Sequence, residues 1–143
     1  MFSNSSKYAI KAVLFLAVNS NEDHRVMVKD MAEPINVPQA YLAKLLQELS
    51  RKDIISSKKG PKGGFYLSDK NSKLTLMDVI SVIDGSDKFD SCLLSLEKCN
   101  SKKPCPLHNL AGPSRAILIK SLSENTLKDF SKQIKKEEAF LPL

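Results

Sequence analysis

Three cysteines and a histidine lie close together in this 143-residue chain, at Cys92, Cys99, Cys105 and His108. Thiolate and imidazole bind soft and borderline metal ions, and four such donors within seventeen residues on a proline-containing segment can wrap one centre. The spacing is Cys-x6-Cys-x5-Cys-x2-His. Structural zinc usually begins with a tight Cys-x2-4-Cys chelate, which Cys92 and Cys99 do not supply; wider spacing suits an iron-sulfur cluster whose irons lie apart. A zinc site, or three unliganded thiols beside a surface histidine, are the alternatives. His24 is remote in sequence and reads as an ordinary loop residue.

A second group of residues has the chemistry of nucleic-acid contact. Residues 38 to 70 hold seven basic and three acidic side chains, so they carry most of the formal net charge of +6. Gln39, Ala43 and Gln47 recur every four residues. On a helix they span roughly 12 Å, about the width of the DNA major groove. Glutamine can pair with adenine edges, Lys44 and Arg51 with guanine or phosphate, and Lys58, Lys59 and Lys62 with phosphates or the minor groove. The competing reading is a solvated surface, and it weakens once the neighbouring elements are included.

Catalysis has little support. The chain has no Gly-x-Ser-x-Gly, no Walker-type phosphate loop and no His-Glu-x-x-His. Gly60, Gly63 and Gly64 sit between two β-like runs and open no helix, and Cys105 with His108 makes a better ligand pair than a nucleophile and base. Hydrophobic residues at 42% and charged residues at 27% are ordinary for a globular domain, which argues against disorder and fibrous repeats. An odd number of cysteines confined to residues 92 to 105 gives no disulfide framework, and the seven-residue apolar run Ala12 to Val18 is far short of the ~20 residues that cross a bilayer. With no export-signal pattern, the expectation is a cytoplasmic protein with no membrane partner.

These groups need elements to hold them. Ser6 to Asn19 is apolar on most faces and predicts a buried helix, with Ser5 or Ser6 as its cap. A short helix over Val28 to Glu33 should stop at Pro34. Leu42, Leu45, Leu46 and Leu49 then place one apolar stripe on a helix over 38 to 52, whose other face carries Gln39, Ala43, Lys44, Gln47 and Arg51. Two β-like runs, Ile54 to Lys58 and Phe65 to Ser68, flank Lys59-Gly60-Pro61-Lys62-Gly63-Gly64, a turn composition. A helix-turn-helix followed directly by a basic hairpin is the order of a winged helix. Thr75 with Asp78 caps a further helix ending at Gly85, and an apolar pattern returns from Ser114 to Ile134. The expected fold is mainly α with a small β-hairpin wing: a winged helix-turn-helix domain over 1–85, a cysteine-containing loop over 86–113, and a dimerisation helix and tail over 114–143.

Tyr8-Ala-Ile-Lys-Ala, Tyr41-Leu-Ala-Lys-Leu-Leu-Gln-Glu-Leu49, Lys59-Gly-Pro-Lys-Gly-Gly-Phe65 and the Cys92, Cys99, Cys105, His108 series resemble the Rrf-type winged-helix transcriptional regulators, the IscR, NsrR and CymR family. The likeness runs from about residue 2 to 133. It implies a homodimer on a palindromic promoter site of double-stranded DNA, with helix 38–52 in the major groove and the Gly60 to Gly64 wing beside it. It also implies dimerisation through the helix after Ser114, and an iron-sulfur cluster on the cysteine loop whose state sets DNA affinity in response to iron-sulfur status, redox or nitric oxide; a repressor is the expected mode. Members that sense nitric oxide bring a carboxylate from the first helix to the cluster, but here nothing acidic precedes Glu22. His108 is therefore the expected fourth ligand and a 2Fe-2S centre is favoured over 4Fe-4S. The glutamate that IscR-like members use to discriminate bases falls at Ala43, so a different operator is expected.

Overall fold

The computed structural model describes residues 2–94 and 100–141. Helix α1 (Asn4–Asn19) is the hub. It starts two to three residues earlier than the capping serines suggest, because Ser3 is the cap: its hydroxyl accepts the backbone N–H of Ser6 at 3.0 Å. Ala9, Ala12, Val13, Phe15 and Leu16 are all buried. The helix is enclosed by α3 (Gln39–Arg51), α5 (Leu76–Asp84) and α7 (Leu127–Lys135).

Helix α2 (Val28–Ala32) and α3 form the expected helix-turn-helix. Asn36 adopts φ 53° in the turn between them, a left-handed conformation that asparagine tolerates. Pro38 stands one position before α3 and its carbonyl accepts the first helical bond, from Leu42 N at 2.9 Å. Leu42, Leu45, Leu46 and Leu49 are buried as the periodicity requires. Burying each leucine contributes about 1.5–3 kcal/mol, which fixes the rotation of α3 and so determines which side chains remain outside.

The wing is shorter than the β-like runs: β1 (Ser56–Lys58) pairs antiparallel with β2 (Gly64–Tyr66), Ser57 opposite Phe65. Ile54 and Ile55 leave the strand to enter the core. Val26 adds a single bridge to the other edge of β2, exchanging bonds of 2.8 and 2.9 Å with Phe65. A small helix absent from the sequence expectations, α4 (Asp69–Ser72), follows with a complete Ser68–Asn71 capping box. Its Asn71 is 3% exposed; it accepts from Ser56 Oγ and donates to Asp53 O, tying the base of the wing to the end of α3.

Helix α5 opens on the Thr75–Asp78 capping box and ends at Gly85, as expected. A 3-10 turn over Ser86–Phe89 leads to Cys92. Helix α6 (His108–Glu124) begins six residues before Ser114 and carries Pro113 inside it. The apolar pattern expected as one helix to Ile134 is two, because Asn125 is extended and Thr126 caps α7 through Asp129. Helix α7 folds back on α1, with Ser131 donating to Ala17 O at 2.9 Å. The Thr126 hydroxyl and backbone N–H hold the Asp129 carboxyl below its ordinary pKa.

Candidate nucleic-acid interface and thiol pocket

Helix α3 turns its polar face outward. Gln39, Lys44, Gln47 and Arg51 are exposed and Ala43 is half-buried. Lys58, Lys59, Gly60, Pro61 and Lys62 are exposed at the wing tip, with Gly63 half-buried beneath them. A cleft of about 420 Å³ separates the two, bounded by Gln47 and Arg51 on one side and by Lys58 and Lys59 on the other. Ser50 Oγ and Ser57 Oγ lie 2.9 Å apart and hold helix and hairpin together at its base. Cations from two elements thus line one groove, an arrangement that favours polyanions.

The hairpin tip depends on close backbone packing. Gly63 N donates to Gly60 O at 2.9 Å, and a Cβ on Gly63 would stand 2.3 Å from Lys58 O. Only glycine fits there.

On the opposite arm of the chain, Cys92 and Cys105 converge. Cys92 Sγ lies 3.9 Å from Cys105 Sγ, and Cys92 is 6% exposed. His108 N donates to Cys105 O at 3.0 Å, a turn that sets the Cys105 thiol and the His108 ring at the same end of α6. Cys92, Cys105, His108 and Arg115 border one pocket of about 70 Å³. Cys99 lies outside the described residues. Among the described residues, no group of three or more His, Cys, Asp and Glu side chains is arranged to hold a metal ion. His24 is exposed on the loop after α1.

The first turn of α1 lies between the two regions. Phe2 packs edge-on against Phe89, three residues before Cys92, with ring centroids 5.9 Å apart. Ser3 donates to Asp84 through its hydroxyl and its backbone N–H. Burial alone would raise the Asp84 carboxyl, but those Ser3 bonds and the nearby Lys88 outweigh it and leave its pKa lowered. Ser5 is hydrogen-bonded to the Tyr41 hydroxyl on α3, and Tyr8 meets Tyr41 edge-on at 5.8 Å. The sequence offered no signal for these contacts beyond the aromatic residues themselves.

A family model described as iron-dependent transcriptional regulators, Rrf2, matches residues 2–133. A putative HTH-type transcriptional regulator of Aquifex aeolicus is 33% identical over 131 residues, covering 90% of each chain. IscR of Klebsiella pneumoniae is 32% identical over 90 residues, covering 63% of this chain and 55% of that one. Among solved structures, CymR of B. subtilis shares the fold with a TM-score of 0.75 at 20% identity, over 92% of this chain and 96% of that one. IscR of T. potens does so with a TM-score of 0.71 at 22% identity, over 98% and 92%. The winged-helix architecture, the match to the family model along most of the length and the named relatives agree: this chain belongs to the Rrf2 family and is a transcriptional regulator, not an enzyme.

Proposed function

We propose that this regulator binds a palindromic promoter site as a homodimer, reading it with α3 and the wing, and that an iron-sulfur cluster on Cys92, Cys99, Cys105 and His108 sets its DNA affinity. The observation that carries the cluster reading is the 3.9 Å separation of Cys92 Sγ and Cys105 Sγ. Two thiolates about 2.3 Å from one tetrahedral metal ion stand roughly 3.8 Å apart, so this pair is already spaced as neighbouring ligands. His108 borders the same pocket, and the donor set of soft thiolates with one imidazole fits a 2Fe-2S centre. When bound, such a group supplies redox and ligand sensitivity.

The protein's own residues provide the route to DNA. The Phe2–Phe89 and Ser3–Asp84 contacts tie the segment before Cys92 to α1, and the Ser5–Tyr41 and Tyr8–Tyr41 contacts tie α1 to α3. Any rearrangement of residues 88–113 therefore bears on the helix that faces DNA, and biases the dimer between states of different affinity. A Cys92→Ala variant is expected to lose both its colour on anaerobic purification and any change of operator affinity on oxidation. Retention of both would remove Cys92 from the ligand set. The same sulfur spacing also fits zinc, which metal analysis separates from iron.

Support for the dimer comes from α6, where Leu110 is 73% exposed and Ile117 68% exposed, two turns apart on one face. Apolar side chains that large and that open favour a partner surface. The double variant Leu110→Glu, Ile117→Glu is expected to run as a monomer in light scattering and to bind a two-half-site operator at least tenfold more weakly, an order-of-magnitude effect of a lost central contact. A dimer of unchanged stability would place the interface elsewhere. No helix among the described residues is long and apolar enough to cross a membrane. Repression is the mode that the family resemblance favours.

A further inference from the structure

Arg25 takes part in neither region described above, yet it makes its contacts with the wing. It stands on the connection between α1 and α2, where its Nη1 donates to Lys62 O at 3.3 Å and its guanidinium carbon lies 5.8 Å from the centre of the Tyr66 ring. Its Nε is buried, while the residue as a whole is half-buried. The next residue, Val26, bridges to Phe65 in both directions. The approach is tight: Gly64 has φ +142°, and a Cβ there would meet Val26 O at 2.8 Å and Arg25 Cβ at 3.2 Å.

A hairpin of three residue pairs has marginal stability of its own. Its tip bears the three lysines, and beyond the strand pairing the tip is held by the Gly63–Gly60 turn bond and by Arg25 on the Lys62 carbonyl. We propose that Arg25 is a positioning residue for DNA binding, fastening the tip and the second strand of the wing so that Lys58, Lys59 and Lys62 are presented together beside α3. The inference rests on the reading that the wing contacts DNA. A planar fork that donates to a carbonyl while lying over a ring is specific to arginine, since an ammonium is a point charge on a flexible stem.

The test uses the full-length chain and a labelled duplex selected by the wild type from a random pool, with affinity measured by anisotropy over a range of salt. Four proteins are compared: wild type, Arg25→Ala, the Lys58, Lys59, Lys62→Ala triple, and the two combined. Arg25→Ala is expected to weaken binding about tenfold in the wild type and to add almost nothing in the triple-lysine background, since residues acting through one element do not add. Arg25→Lys should not restore affinity, and exchange of the Gly63 and Phe65 amides should quicken in both Arg25 variants.

An equal loss in both backgrounds, or full recovery with lysine, would overturn the proposal, because either outcome makes Arg25 an independent charge contact. A triple-lysine variant with wild-type affinity and salt slope would instead sink the wing reading itself, whatever Arg25 does. If Arg25→Ala fails to fold, Tyr66→Leu removes only the ring partner and should show the same non-additivity, with additivity again counting against the proposal.

Discussion

Replacing Lys58, Lys59 and Lys62 together by alanine is expected to flatten the salt dependence of DNA binding by up to about 2.7 in the slope of log K against log salt, for each protomer. Each lysine that neutralises a phosphate releases about 0.9 of a counterion, and all three side chains are exposed at one hairpin tip. At about 0.15 M salt the same arithmetic gives a loss on the order of 100-fold in affinity. The loss should be even across sequences, because a phosphate contact carries no base information. Substitution of Gln39 or Gln47, on the face of α3, should instead change which sequences are preferred. Anisotropy titrations at several salt concentrations check the first expectation, and an unchanged slope would mean that the wing makes no phosphate contact.

Gly63→Ala should be nearly as damaging to binding while leaving the fold intact. The new methyl carbon would sit 2.3 Å from Lys58 O and 2.8 Å from Gly60 O, both backbone atoms of the same hairpin. Neither can move without opening the turn, which breaks the Gly63 N to Gly60 O bond and swings the lysines apart. Strain of this kind costs about 1–3 kcal/mol locally, and the tip is too far from the core to lower helix content. The expected result is a loss of roughly ten- to a hundredfold in DNA affinity with an unchanged helical circular-dichroism signal. Gly60→Ala is the control: its φ is +107° but nothing lies within 4 Å of the added carbon, so only conformational strain is introduced and the loss should be smaller. Wild-type binding by Gly63→Ala would show that the turn geometry is irrelevant to DNA contact.

Much of this architecture is legible in the sequence because periodicity and turn chemistry are local. The leucine stripe of α3, the Thr75–Asp78 capping box and the glycine-rich wing each depend on a few adjacent residues, and each is where the spacing puts it. Other local signals were equally present but hidden by stronger ones. Ser68-x-x-Asn71 and Thr126-x-x-Asp129 have the same form as the Thr75 box, and they open α4 and divide the C-terminal helices. Gly112-Pro113 reads as loop punctuation, yet α6 continues through it from His108, the missing N–H of Pro113 leaving the helix otherwise intact. The early start of α1 follows from Ser3, whose carboxylate partner Asp84 is 81 residues away.

The candidate sites divide in the same way. Which residues on α3 and the wing stay exposed follows from which neighbours are buried, so Gln39, Lys44, Gln47, Arg51 and the three lysines could be named in advance. Arg25 on the wing, and the bonds that tie Asn71 to Ser56 and Asp53, could not, because those partners are 37 and 15 to 18 residues away and no spacing rule links them. The cysteine series points to thiolate and imidazole ligation by residue type alone. That Cys92 and Cys105 lie within 3.9 Å is a property of the chain path through the 3-10 turn and the start of α6.

Iron, acid-labile sulfide and zinc per chain, measured with the visible spectrum of the anaerobically purified protein, bear most directly on the cluster proposed at Cys92, Cys99, Cys105 and His108. Iron and sulfide in the equal amounts of a 2Fe-2S centre, with the brown colour of thiolate-to-iron absorption, is the expected result. Stoichiometric zinc with neither iron nor sulfide would contradict it and leave a thiol site that only fixes the loop.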